Sequence, residues 1–187
     1  MSDLPRPAYT RAEKISDAVV HVTGLTLVLM AVPVLIVLTA LYRGDAASIV
    51  GVSIYGAALL AMILFSALYN IAESSGFGAA REWLLRRLDH SAIYVKIAGT
   101  YTPFTLLSGH GFALTLGVWG AALAGIALKV VSPERFKWIA LALYMGMGWA
   151  GLIAGRGLFA AMPTPVLVLM ITGGALKEPL RAIAPQH

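Results

Sequence analysis

Long apolar runs separated by short polar breaks set the pattern of this chain. Five runs are long enough to cross a bilayer as helices: residues 18–42, 48–71, 89–107, 112–130 and 138–154. A helix rises about 1.5 Å per residue, so a hydrocarbon core of about 30 Å takes roughly 20 residues. A sixth run, residues 158–176, carries Pro163 and Pro165 near its start. Proline fits best in the first turn of a helix, so this pair of prolines predicts a helix beginning near Thr164 and a short or partial span. The first run is too long for a signal-peptide core and has no small-residue cleavage site behind it, which predicts a retained membrane helix. The pattern predicts an all-α fold, a polytopic transmembrane helix bundle. It divides into an N-terminal segment (1–17), the bundle (18–176) and a polar tail (177–187). No internal repeat, low-complexity segment or second domain is evident.

Composition agrees: 59% of residues are hydrophobic and 12% charged, against about 25% charged in soluble domains. A soluble globular enzyme is excluded, and so is a disordered chain, which would be poor in apolar residues. The formal net charge of +5 does not indicate nucleic acid, because the basic residues sit in short breaks between apolar runs. Counting Lys and Arg in alternate breaks gives eleven on one side and two on the other, with Lys96 inside a run. Short-loop basic excess marks the cytoplasmic side, so the N-terminus is expected in the cytoplasm. The expected partners are membrane lipids, and homo-oligomerisation stays open. The chain has no cysteine, which removes disulfides, thiolate nucleophiles and cysteine-ligated zinc.

Ionisable residues inside spans are expensive and therefore informative. Glu13, Asp17 and His21 recur every four residues on one face of the first helix. Ser66 and Asn70 share a face of the second helix, and Asp89 and His90 open the third, followed by Lys96 and Thr100. Threading the spans through the bilayer puts all of these near its cytoplasmic side, as a shared bundle site would require. Plainer roles stand beside that one. Asp17 and His21 suit an interfacial helix end, and Lys96 suits a snorkelling lysine. Ser66 suits a hydroxyl returned to a carbonyl one turn back. Asp89 suits a helix-start carboxylate facing the helix dipole. His110 reads as a solvated loop residue. Gly117, Ala121 and Gly125, with Gly151 and Gly155, have the spacing of close helix packing.

Leu88-Asp89-His90 followed by Ala98-Gly99-Thr100-Tyr101-Thr102-Pro103-Phe104 resembles the third-helix signature of the hemolysin III family, within the wider group containing the progestin and adipoQ receptors. Ser66 to Asn70, the Asp17–His21–Gly24 pattern and Gly146 to Trp149 fit as well, so the likeness covers roughly residues 10–174. It implies a seven-helix bundle and, for a bacterial member, the inner cell membrane. It also implies zinc-dependent hydrolysis of a lipid amide. The family ligands are a second-helix histidine and two seventh-helix histidines. The third-helix aspartate, here Asp89, holds the water that zinc activates, and the serine, here Ser66, lies beside it. Zinc would acidify that water and polarise the carbonyl.

Two departures matter. Asn70 stands where the histidine ligand belongs, and a neutral amide is a poor substitute for imidazole. After Gly173-Gly174 the chain leaves the family pattern, so the seventh-helix histidines are expected to be missing or altered. His21 and His90 remain as substitute ligands beside Asn70. Three functions follow. One is a metal-dependent lipid hydrolase or a descendant lacking the full metal site. The second is a pore-forming, hemolysin-like channel, although a conducting path would need rows of polar residues. The third is a non-catalytic lipid-sensing bundle.

Overall fold

The computed structural model describes residues 11–75, 78–108, 112–131 and 137–153. They form five helices: α1 (Arg11–Tyr42), α2 (Ala46–Ser75), α3 (Ala79–Ser108), α4 (Phe112–Val131) and α5 (Lys137–Ile153). The sixth run at 158–176, the polar tail, His110 and Gly155 lie outside the described residues.

Each of the first five apolar runs forms a helix, but two helices start earlier than hydropathy predicts. α1 begins at Arg11 and α3 at Ala79, ten residues before Asp89. Arg81, Arg86 and Arg87, expected in a loop, therefore ride on the first turns of α3. Hydropathy marks where a helix meets lipid, whereas Ala, Arg, Glu and Leu favour helix on either side of that boundary. Glu82 takes the acidic first-turn position. Asp89 lies deep in the helix, so it is not a helix-start carboxylate.

Among the described residues, three helices are long and apolar enough to span a membrane: Ile15–Tyr42, Ala46–Ala72 and Phe112–Val131. α3 is long enough at 30 residues but carries Asp89, Lys96 and a run of hydroxyls. α5 has 17 residues, and its apolar part is Trp138–Gly148. Packing explains the polarity of α3, which contacts α2, α4 and α5. Its hydroxyls bond within the bundle. Thr102 donates to the Ala98 carbonyl at 2.9 Å, and Trp119 Nε1 of α4 donates to Thr102 at 3.2 Å. Tyr94 and Tyr101 donate to the Ala140 and Gly148 carbonyls of α5 at 2.8 and 3.1 Å.

Small residues set the helix spacing, as in membrane bundles generally. A Cβ on Gly99 would stand 2.6 Å from Ala58 Cβ, and one on Gly51 would stand 2.9 Å from Pro103 Cα. These contacts bring α2 against α3. Gly125 lies against the Tyr94 ring and Gly56 against Val32. Gly117 has open space beside it. With Ala121, Gly146 and Met147 it lines an apolar groove of about 530 Å³ between α4 and α5.

The α1–α2 turn is fully specified by its residues. Gly44 adopts φ +68° and its N–H reaches the Thr39 carbonyl at 3.2 Å, closing α1 in a conformation that suits glycine. Asp45 caps α2, accepting from the Ser48 N–H and hydroxyl at 2.8 Å each. These bonds, with the hydroxyl foremost, hold the Asp45 carboxyl below its ordinary value.

Candidate functional site

The polar residues picked out by spacing gather toward the end of the bundle where α1 begins and α2 meets α3. On α1, Asp17 and His21 are one turn apart. The His21 Nδ1 lies 2.7 Å from the Asp17 carbonyl oxygen. A carbonyl can only accept, so Nδ1 carries the proton. In the neutral ring Nε2 is then an acceptor, and it lies 3.1 Å from Ser66 Oγ on α2. Ser66 therefore donates to His21. The result is a three-member chain from the Ser66 hydroxyl through imidazole to a backbone carbonyl.

This pairing gives Ser66 an interhelical partner in place of a carbonyl one turn back. It also gives His21 an oriented ring, which goes beyond an interfacial side chain reaching for headgroups. The spacing Asp17–His21 carried part of the signal, because i and i+4 stack on a helix. The partner actually used on Asp17 is its carbonyl, which no side-chain reading would select.

The third-helix residues form a separate group. Asp89 is 20% exposed at its side chain and His90 39%. His90 Nδ1 donates to the Arg86 carbonyl at 2.6 Å and stands 3.7 Å from Asp89 Oδ2. Thr100 returns its hydroxyl to the Lys96 carbonyl at 2.7 Å. Asn70 and Lys96 are half-buried. Nearby, the Arg87 guanidinium stacks 3.8 Å above the Trp83 ring and donates to the Val130 carbonyl at the end of α4. This clamp was not foreseen from sequence, although Trp and Arg four residues apart on a helix are its signature.

A zinc ion of the kind the resemblance implies needs at least three donors with free lone pairs. His21 has its Nδ1 proton aimed at one carbonyl and its Nε2 lone pair engaged by Ser66. His90 turns Nδ1 to a carbonyl, and Asn70 offers only a neutral amide. Among the described residues no three His, Asp or Glu side chains form a metal-ligating group. The described donors, as arranged, do not fit the ion.

What the arrangement can do is hold a hydroxyl against a basic nitrogen at the edge of the bundle. α1 packs on α2 and leaves Val19, Val20 and Val22 exposed beside His21.

Comparison with known proteins agrees with the membrane reading. A family model described as "Haemolysin-III related" matches residues 9–177. The chain is 38% identical over 172 residues to the Hemolysin-3 homolog of Bacillus subtilis (strain 168), covering 90% of this chain and 78% of that protein. It is 33% identical over 169 residues to Hemolysin-3 of Bacillus cereus, covering 88% of this chain and 74% of that protein. No solved structure matches. A bundle of apolar helices carrying this polar cluster and this extent of similarity belongs to the haemolysin-III-related family of membrane proteins.

Proposed function

We propose that this chain is a lipid-directed membrane protein whose polar cluster recognises the carbonyl region of a membrane lipid, at the leaflet that the basic-residue count assigns to the cytoplasm. Its described donors hold the lipid without a metal ion, with Asn70 standing where the resemblance to zinc-dependent lipid-amide hydrolases would put a histidine ligand. The observation that carries this reading is the Ser66–His21–Asp17 carbonyl chain at the lipid-facing junction of α1 and α2. Asp89 stands as a second polar group reached from the same leaflet.

Detergent-purified protein tests the reading directly, with bound lipid identified by mass spectrometry and zinc by elemental analysis. Co-purifying lipid that falls several-fold in Ser66→Ala, with zinc well below one ion per chain, supports it. Stoichiometric zinc lost in His21→Ala and Asp89→Asn would overturn the metal-free part and restore metal-dependent amide hydrolysis.

A second reading rests on the relatives, which carry the name hemolysin and so raise a membrane-permeabilising role. Conductance across a planar bilayer, unchanged by Ser66→Ala, would favour it over lipid recognition.

A further inference from the structure

His21 and Ser66 lie at one depth by an argument independent of their contact. The apolar span of α1 is Ile15–Tyr42 and that of α2 is Ala46–Ala72. His21 is six residues from Ile15, and Ser66 is six residues from Ala72, about 9 Å along the helix in both cases. The 28-residue span of α1 measures about 42 Å, close to the full bilayer including headgroups. The hydrocarbon core then begins about 6 Å inside each end. The pair sits just beneath that boundary, at the level of the ester carbonyls of glycerolipids.

We propose that Ser66 and His21 form a nucleophile–base pair that cleaves an acyl ester of a membrane glycerolipid. The proposal rests on the lipid-directed reading above and adds chemistry to it. Nucleophilic serine catalysis needs a base within hydrogen-bond reach of the hydroxyl and a third group that orients the base. His21 Nε2 at 3.1 Å from Ser66 Oγ supplies the first, and the Asp17 carbonyl at 2.7 Å from Nδ1 supplies the second.

Ser66 Oγ attacks the ester carbonyl while its proton passes to His21 Nε2. The Asp17 carbonyl, accepting from Nδ1–H, stabilises the imidazolium. The ester C–O bond then breaks, His21 returns the proton to the departing alcohol of the lysolipid, and the acyl group stays on Ser66. Water attacks this second ester with His21 taking its proton. The fatty acid leaves, and the proton on His21 restores the Ser66 hydroxyl. One ester and one water give one acid and one alcohol.

The test uses the full chain in vesicles of phosphatidylethanolamine and phosphatidylglycerol. An alkyl fluorophosphonate probe should modify Ser66, located by peptide mass spectrometry. Labelling should disappear in Ser66→Ala and slow by at least about 100-fold in His21→Gln, the scale of losing a general base. The absence of cysteine allows a second measurement. Ser66→Cys carries a lone thiol, and Ser53→Cys places one about as deep from the opposite end of α2. Maleimide should alkylate the first at least tenfold faster than the second, and adding His21→Gln should slow only the first. An unlabelled Ser66, with thiol rates indifferent to His21, overturns the acyl-transfer proposal. If lipid still co-purifies in that case, lipid recognition stands; if it does not, both readings fall.

Discussion

α1 and α3 are nearly equal in length, 32 and 30 residues, yet they meet opposite surroundings. α1 packs on α2 and exposes apolar side chains along its length, with Val20 65% and Met30 67% exposed. α3 touches three helices and holds buried Tyr94, Ala98, Thr102 and Thr105. In lipid there is no hydrophobic force between helices, so apolar surface gains nothing by being covered. Polar groups gain by finding partners away from lipid. Among the described helices the most polar is therefore the most enclosed, the reverse of a soluble fold. His21 is the exception, a polar group on the exposed helix, and it is held by its contact with Ser66 of α2.

Several substitutions would sharpen or break this contrast. The largest effect is expected at Gly125, whose added side chain would meet the Tyr94 ring. Gly125→Leu should destabilise the bundle by about 2 kcal/mol, an ordinary cost of overpacking. Val20→Leu on α1 should stay within about 0.5 kcal/mol. Reversible unfolding in mixed micelles measures both, and equal losses would erase the distinction.

Next comes Tyr94→Phe, which removes the hydroxyl donated to the Ala140 carbonyl and should cost about 1 kcal/mol. Thr26→Val, which removes only a local bond to the Val22 carbonyl, should cost under about 0.5 kcal/mol.

Smaller again is the interhelical bond from Ser66 to His21. A double-mutant cycle of Ser66→Ala with His21→Gln should give a coupling of about 0.6 kcal/mol, the average for such bonds in a bilayer. A far larger value would mean that the pair serves the fold more than chemistry.

The smallest effect is local. Asp45 caps α2 with its carboxyl held below the ordinary value near 3.8, mainly by the Ser48 hydroxyl and then by the Ser48 N–H. A depressed folded pKa adds stability above the unfolded value and loses it as pH falls through the lower folded value. Protection of the Ser48 amide from hydrogen exchange should therefore weaken below about pH 4. Asp45→Asn should flatten that dependence.

The helices were legible because long apolar runs have no alternative in a bilayer. The early start of α3 was not, since Arg81, Glu82, Arg86 and Arg87 read as a break by hydropathy while being good helix formers. The level of His21 and Ser66 followed from counting residues along the spans. Their contact did not, because depth fixes height along a helix but leaves its rotation and its neighbours open. The same gap explains Asp89 and His90. Spacing put them at the site's level, and the structure turns His90 back onto its own helix through the Arg86 carbonyl.

Everything proposed for this site turns on His21 accepting from Ser66 at Nε2 while its Nδ1–H donates to the Asp17 carbonyl. Nitrogen-15 NMR of histidine-labelled protein in nanodiscs reads this directly, with His21→Gln identifying the resonances. The account predicts a protonated Nδ1 and an unprotonated, hydrogen-bonded Nε2 whose shift moves in Ser66→Ala. A proton on Nε2, or a metal-coordinated Nε2 indifferent to Ser66, would contradict it.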